Sequence, residues 1–341
     1  MANYPIGGLI AEMRNRQNLS QEELTEGICA VSTLSKIENG VQMPSRKVYE
    51  ALMQRLGIPS RSCQVYVGKI AMCRSLLEER LENFIVAGQY EKAAGALMQY
   101  ILCDEWEEGA VESYEAKLEA YAVRLGLGEK SRLLKGRDLV EEILISIVLD
   151  EKKKCVTGLS RLEVQYALHQ LGVLTDQKHR EYRRALRLSE FAIRLTIPDF
   201  SEDGLDRIHL LTRIELYILC HMGLLYNACG DRLRAKRFLS FLKEYMERRY
   251  MDSEEKGKIY PVVVFYLGKW MGEKGNFDRQ LELCESGIAL CLRQGRLAML
   301  PQLLTAKGHA LISCGKQAQA EPILKQACLI LQLFGDSVTT E

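Results

Sequence analysis

The stretch Ser20-Gln21-Glu22-Glu23-Leu24, followed by Leu34-Ser35-Lys36-Ile37-Glu38-Asn39-Gly40, decides the fold of the N-terminal part of this chain. Ser20 is a good helix N-cap, and Glu23 three residues later completes a capping box. A second helix is expected from about Val31 to Asn39, because Gly40 suits the left-handed conformation that ends a helix. Two short helices joined by a tight turn near Gly27 predict a helix-turn-helix unit.

Two further helices are expected to enclose this unit. Residues 6–17 place Ile6, Leu9, Ile10 and Met13 at helical spacing. A fourth helix should follow Pro44-Ser45 and end near Gly57-Ile58-Pro59. The four helices together predict a small DNA-binding domain over residues 1–62.

These motifs, in this order and at these gaps, resemble the phage-repressor (XRE-type) helix-turn-helix domain over about Ile6 to Pro59. The resemblance implies that the second helix of the unit reads base edges and that flanking groups hold phosphates. It also implies a structural ion pair between Arg14 and Glu38, and a core that contains Leu24, Leu34 and Ile37. The DNA contacts that it implies are Gln21, Val31, Ser32, Thr33, Lys36, Asn39, Ser45, Arg46 and Lys47.

Some of these assignments have plainer alternatives. Lys36 can be an ordinary solvated lysine, and Val31 can do no more than pack or touch a thymine methyl. Ala30 stands where the family usually has a Ser or Thr N-cap, which costs about 1 kcal/mol of helix stability. Residues 1–60 hold six Lys and Arg against six Glu, so a single domain should bind DNA weakly and a homodimer is expected.

Composition excludes several other classes of protein. The chain has 341 residues, 47% of them hydrophobic, and a formal net charge of +1, which predicts two domains and no general polycation. It has no long apolar run and no signal-peptide pattern, so a cytoplasmic protein without a membrane contact is expected. The 11 cysteines show no zinc-ligand spacing, and no nucleotide, metalloprotease or nucleophile-elbow motif is found. We therefore expect no enzyme, no metal and no cofactor.

The rest of the chain, residues 63–341, predicts helix pairs. Small residues and turn glycines recur at Gly223 and Gly230, Gly268 and Gly275, and Gly308 and Gly315. This pattern looks like divergent tetratricopeptide repeats, with five or six pairs in total and a weaker match between Asp104 and Thr196. The predicted fold class is therefore all-α, with a helix-turn-helix domain followed by a tetratricopeptide-like superhelix.

A superhelix of helix pairs presents a groove that suits an extended peptide. Asn227 could pair with a peptide backbone through its amide, or it could cap the Gly230 turn. The aromatic candidates could pack between repeats, the histidines could lie in the core or on the surface, and Lys269 could be a plain surface lysine. The candidate peptide contacts are Asn227, Tyr217, Leu224, Phe265, Lys269, His309, Tyr166 and His169.

The combination of the two halves resembles the Rgg/PlcR (RRNPP) regulators of Gram-positive bacteria. This resemblance implies a homodimeric transcription regulator in which a short signalling peptide, of the quorum-sensing type, binds the repeats and changes the DNA-binding heads. A first alternative is a regulator whose repeats only dimerise or bind a partner protein. A second is a helical adaptor that has lost DNA binding, against which the intact Gln21, Lys36 and Glu38 argue.

Overall fold

The computed structural model describes residues 5–58, 69–102, 114–150, 158–249 and 251–333. Every regular element in these ranges is helical, which confirms the predicted all-α class. Residues 5–58, which we call the head, form four helices. These are α1 (Pro5–Arg16), α2 (Gln21–Thr25), α3 (Val31–Glu38) and α4 (Arg46–Arg55).

The ends of the head helices follow from local chemistry. The Ser20 hydroxyl accepts from the amide of Glu23 and the Glu23 carboxylate accepts from the amide of Ser20, so the predicted capping box starts α2. Ala30 makes no side-chain cap for α3, as its methyl group requires. Gly40 has a φ of +68° just after α3, in the left-handed region that the sequence predicted.

One buried cluster holds the four head helices together. Its largest members include Leu24, Leu34, Ile37 and Tyr49, and Leu162 from the following repeats joins it. The helices α1 and α3 approach so closely that a β-carbon at Gly7 would lie 1.8 Å from the carbonyl oxygen of Ile37. The recognition helix α3 is therefore fixed against α1 by backbone contact as well as by its apolar side chains.

The head and the first helix pairs fall in one compact unit, Met1–Gly230. The long helix α10 packs against α6, α9, α11 and α12, and against α4 of the head. A 3-10 turn, Glu202–Arg207, precedes α12. The helices that follow the head in this unit are α5 (Lys69–Val86), α6 (Tyr90–Ile101), α7 (Tyr114–Arg124), α8 (Gly128–Leu133), α9 (Gly136–Leu149), α10 (Arg161–His179), α11 (Tyr182–Arg194) and α12 (Arg213–Ala228).

In the described part of the second compact unit, Asp231–Glu341, helices that follow one another along the chain pack against each other. Gly268 faces Leu283 and Cys284 of the next helix, and a β-carbon at Gly308 would lie 2.5 Å from the side chain of Leu324. Both glycines thus permit the close approach that the repeat pattern predicted. The helices are α13 (Arg232–Arg248), α14 (Ser253–Glu273), α15 (Phe277–Gln294), α16 (Leu300–Ser313) and α17 (Gln317–Leu333).

The predicted turns stand between the helices of these pairs. Gly275 and Gly315 have positive φ values of 75° and 73°, and each is followed by a new helix within two residues. In the described part of the chain, no helix is long and apolar enough to cross a membrane. The same residues contain no group of His, Cys, Asp and Glu side chains that could hold a metal ion.

Candidate nucleic-acid interface

The recognition helix α3 is anchored on one side and open on the other. Leu34 and Ile37 are buried in the head core, whereas Ser32, Lys36 and Asn39 are exposed to solvent. Val31 and Thr33, in the first turn, are half-buried. We call Val31, Ser32, Thr33, Lys36 and Asn39 the recognition face. A rigid helix that presents hydroxyls, a methyl-bearing side chain and one cation is suited to base edges in a major groove.

A three-residue network fixes α3 relative to α1 and α2. Arg14 donates from Nε to Glu38 Oε1 at 2.7 Å and from a terminal nitrogen to Glu38 Oε2 at 3.0 Å. This hydrogen bonding raises the pKa of Arg14 above its ordinary value. Arg14 also donates to the carbonyl of Leu19 at 2.8 Å, and Gln21 Nε2 donates to Glu38 Oε2 at 2.6 Å. The bidentate pair therefore closes the head around the carboxylate of Glu38.

Several side chains that the resemblance assigned to DNA contact are engaged within the head. Gln21 uses its amide nitrogen on Glu38. Asn39 donates to the carbonyl of Ser35 at 2.8 Å, and the hydroxyl of Ser45 caps α4 by accepting from the amide of Val48 at 3.4 Å. Arg46 pairs with Glu50 one turn away at 2.6 Å. These bonds orient the four side chains within the head, and each side chain keeps at least one further N–H or O–H donor.

Lys47 differs from its predicted role as a phosphate contact. Its ammonium group pairs with Glu78 of α5 and lies 5.0 Å from the centre of the Tyr166 ring on α10. Its side chain is only 19% exposed. In this structure Lys47 therefore takes part in the contact between the head and the repeats, and its role as a phosphate contact stays a prediction.

The basic residues of the head differ in whether their side chains are paired with a carboxylate. Arg14, Arg16, Arg46, Lys47 and Arg55 each pair with a carboxylate. The side chain of Lys36 has no hydrogen-bond or ion-pair partner among the residues that the structure describes, and it is exposed on the recognition face. The local positive charge of the head is therefore concentrated, after internal pairing, on α3.

The peptide candidates on α12 are all partly accessible to solvent. Tyr217, Leu224 and Asn227 are all half-buried. The backbone carbonyl of Asn227 accepts from the amide of Gly230 at 3.0 Å, whereas its side chain makes no hydrogen bond to any described residue. The Gly230 turn is thus closed by the backbone, and the amide of Asn227 is left for another partner.

Tyr166 and His169 lie deeper than a groove contact would. Tyr166 is 2% exposed, its ring packs 5.3 Å from that of Tyr100, and its hydroxyl donates to the carbonyl of Glu78 at 3.4 Å. His169 is 5% exposed and packs against the rings of Tyr217 and His221. Burial lowers the pKa of His169 to about 3. In this structure both residues belong to the core of the repeats, because α10 packs against α6, α9, α11 and α12.

The remaining peptide candidates lie in the second compact unit. Phe265 is half-buried and makes an edge contact with Tyr266 at 5.4 Å between ring centres. Lys269 and His309 are exposed. None of the three is tied into a core in the way that His169 is, and each stays a candidate contact within its own unit.

Sequence reasoning missed the residues that join the head to the repeats. Arg55 lies in the last turn of α4, and its partner Glu215 stands 160 positions later in the chain. The Thr212 to Glu215 spacing does carry the signature of a capping box. Nothing local to Glu215, however, indicates that its carboxylate also faces an arginine of the head.

Comparison with known proteins identifies the helix-turn-helix domain of the head, and over the rest of the chain it finds only solved structures of low sequence identity. Residues 10–61 match the helix-turn-helix family model and are a helix-turn-helix domain. A search of curated protein sequences found no match. Among solved structures, PlcR from Bacillus thuringiensis in complex with the peptide PapR7 and DNA is 16% identical, with a TM-score of 0.47, and the alignment covers 98% of this chain and 96% of that one.

Two other solved structures are similar over most of the chain. ComR from Streptococcus suis is 14% identical with a TM-score of 0.32, and the alignment covers 89% of this chain and 94% of that one. A putative transcriptional regulator from Listeria monocytogenes EGD-e is 14% identical with a TM-score of 0.36, over 98% of this chain and 93% of that one.

Proposed function

We propose that this chain is a sequence-specific DNA-binding transcription regulator whose repeats sense a short signalling peptide. The observation that carries the DNA-binding part is the recognition face, on which Lys36 stands without an internal counter-charge in a matched helix-turn-helix domain. A lysine ammonium can donate to the O6 and N7 acceptors of guanine, and Val31 can touch a thymine methyl. We therefore expect a half-site that contains a guanine opposite Lys36.

Selection from a randomised DNA duplex library tests this part directly. The full chain should enrich one family of duplexes, with a guanine whose replacement costs about 1–3 kcal/mol of binding free energy. Lys36→Ala should relax the preference at that base pair and leave the other positions unchanged. A chain that enriches no duplex family, at low as well as moderate salt, would contradict the proposal.

Dimerisation completes the DNA-binding proposal. The head holds equal numbers of basic and acidic residues, and most of its basic residues are internally paired. One head can therefore neutralise few phosphates, so its affinity for DNA should be low, and that affinity should depend only weakly on salt. Two heads on two half-sites, one DNA turn or about 34–36 Å apart, would supply the missing contacts.

The peptide-sensing part rests on α12. Its half-buried Tyr217, Leu224 and Asn227 offer an aromatic ring, an apolar side chain and a free amide along one helix. A side-chain amide can donate to a peptide carbonyl and accept from a peptide amide at the same time. Phe265, Lys269 and His309 are the corresponding candidates in the second unit.

Calorimetric titration of the full chain with short peptides encoded beside its gene tests peptide sensing. One peptide should bind with micromolar or tighter affinity, and Asn227→Ala should weaken it by about tenfold, the loss of one good hydrogen bond. Asn83→Ala, an exposed asparagine on α5, is the matched control and should bind as the unchanged chain does. Binding by no peptide would favour the alternative in which the repeats serve only for dimerisation or for a partner protein.

A further inference from the structure

Arg55 connects the last turn of α4 with the turn that leads into the recognition helix. One of its terminal nitrogens donates to the carbonyl of Leu24 at 3.1 Å and to the carbonyl of Glu26 at 2.6 Å. The last carbonyls of a helix have no partner within the helix, and a cation at this end is favoured by the helix dipole. Arg55 thus closes the C-terminus of α2 and the turn between α2 and α3.

The counter-charge of Arg55 comes from the repeats. Its other terminal nitrogen lies 3.5 Å from Glu215 Oε1, and the side chains of Arg55 and Glu215 are 3% and 0% exposed. A buried guanidinium is costly without a carboxylate beside it, and a buried carboxylate is costly without a cation. The charge that holds the turn in the head therefore depends on a residue of α12.

Glu215 also takes part in the N-terminal cap of α12. Its Oε2 accepts from the amide of Thr212 at 2.6 Å, and the hydroxyl of Thr212 accepts from the amide of Glu215 at 3.4 Å. One carboxyl group thus caps α12 and faces Arg55. Because its geometry is fixed by the cap, Glu215 presents Oε1 to the head from a rigid position.

Two further contacts fix the head at this place. Gln54 Oε1 accepts from the amide of Arg213, in the first turn of α12, at 2.8 Å. On the other side of Arg55, a β-carbon at Gly27 would lie 1.9 Å from the carbonyl oxygen of Thr196, so the turn itself rests on the backbone of the repeats. We call Gly27, Lys47, Gln54 and Arg55, with their partners in the repeats, the junction.

We propose that Arg55 and Glu215 are positioning residues for DNA recognition, through which the first turn of α12 sets the order of the turn before the recognition helix. Neither residue touches the recognition face. The inference rests on the proposed DNA-binding function, and it adds that the reading geometry of the head is completed by the repeats. Since α12 also carries Tyr217 and Asn227, the proposed peptide contacts and the turn of the head share one rigid element.

Hydrogen exchange of the full chain tests the link without any ligand. The amides of Ile28 and Cys29, which donate to the carbonyl of Thr25 at 2.8 and 3.2 Å, report on the turn. Glu215→Gln keeps an acceptor for the cap of α12 and removes the charge. The exchange rates of Ile28 and Cys29 should rise by about tenfold or more, because the charge of Arg55 is left buried without its partner.

Glu163→Gln is the matched control. Glu163 also closes a capping box, with Ser160 at the start of α10, and also pairs with a buried arginine at 2.9 Å. That arginine is Arg74 of α5 and not a residue of the head. Exchange at Ile28 and Cys29 should therefore stay at the rate of the unchanged chain. A Glu215→Gln chain in which only the first turn of α12 exchanges faster would overturn the proposal.

Arg55→Lys keeps the test decisive if Glu215→Gln does not fold. Lysine retains the charge but cannot donate to two carbonyls and a carboxylate in one plane. In Arg55→Lys alone, exchange at Ile28 and Cys29 should rise, and exchange at the rate of the unchanged chain would overturn the proposal. If Glu215→Gln also folds, the double variant should show less than the product of the two single effects, as expected for residues that act as one unit. Multiplicative effects would then overturn the proposal.

A DNA-binding measurement distinguishes a failure of this inference from a failure of the proposed function. Glu215→Gln should weaken binding to a duplex selected by the unchanged chain by about tenfold, in proportion to the loosened turn. An unchanged affinity in a variant with a loosened turn would overturn the positioning role. If selection enriches no duplex, the proposed function fails, and the exchange rates still decide whether α12 holds the turn.

Discussion

Two surfaces of the same small head differ in what their charges do. On the recognition face, Ser32 and Lys36 are exposed, and their side chains make no polar contact within the described chain. At the junction, Lys47 and Arg55 are paired with Glu78 and Glu215 and are largely withdrawn from solvent. Both surfaces use basic side chains on short helices, and the sequence alone does not distinguish them.

The difference teaches which basic residues are available to a partner. An exposed lysine costs little free energy to leave alone, because water solvates its charge. A buried arginine must be paired, so its partner reveals which surfaces of the protein belong together. On this reasoning Lys36 remains available to a partner, whereas Arg55 and Lys47 belong to an internal contact.

Arg14→Glu should have the largest effect. It replaces a bidentate pair with a second carboxylate beside that of Glu38, and it should destabilise the head by about 3 kcal/mol or more. Hydrogen exchange of the Leu34 amide, which donates to Ala30, measures this loss. Arg16→Glu lies on the same helix, where Arg16 and Glu12 are both exposed, and should change stability by less than about 1 kcal/mol. Equal effects of the two variants would contradict a structural role for the ion pair between Arg14 and Glu38.

The double variant Ser32→Ala with Lys36→Ala should come next, and it should act on DNA and not on stability. Loss of two base contacts should weaken specific binding by about a hundredfold or more, at about 1–3 kcal/mol for each contact. Urea unfolding should be unchanged within about 0.5 kcal/mol, as for exposed substitutions generally. Lys325→Ala, an exposed lysine on α17, is the control for charge. Retained affinity would show that the recognition face lies elsewhere.

The same contrast between exposed and buried groups applies in the repeats. His169, a proposed peptide contact, lies in the core there. Burial lowers its pKa from 6.5 to about 3, so the folded chain keeps it neutral while the unfolded chain protonates below pH 6.5. Its contribution to stability is therefore complete above pH 6.5 and is lost as the pH falls toward 3. Between pH 7 and 5 this loss is about 2 kcal/mol.

Urea unfolding of the full chain and of His169→Gln at both pH values measures this term. The glutamine variant lacks the titrating group, so its stability should fall less over the same interval. Equal falls in the two chains would show that His169 titrates normally and is open to solvent, as a groove contact would be.

Lys47→Ala should have the smallest effect on stability and on DNA affinity. It tests directly whether Lys47 belongs to the junction or to the recognition face. It removes the pair with Glu78 and the contact with the Tyr166 ring, which together contribute about 1–2 kcal/mol to the stability of the first unit. Binding to a selected duplex should change by less than about twofold, because Lys47 does not lie on the recognition face. A loss of affinity as large as that of Lys36→Ala would restore Lys47 to its predicted role at the phosphates.

The sequence predicted the local structure of the head well because local interactions determine it. The Ser20–Glu23 capping box, the glycine after α3 and the apolar spacing of Leu34 and Ile37 act within one or two helical turns. The turn glycines of the repeats act over the same range. Helix caps, turn glycines and apolar spacing can therefore be predicted from the order of residues along the chain.

Only the tertiary structure decided which side chains are free. Lys36 and Lys47 look alike in the sequence, yet one is exposed and the other is held by α5 and α10. Tyr166 and His169 are residue types that suit a peptide groove, yet they lie in the core, because α4, α6, α9, α11 and α12 all pack against α10. The pairing of Arg55 with Glu215 spans 160 positions. Burial and pairing depend on which helices meet in space, and the spacing along one helix carries no information about that meeting.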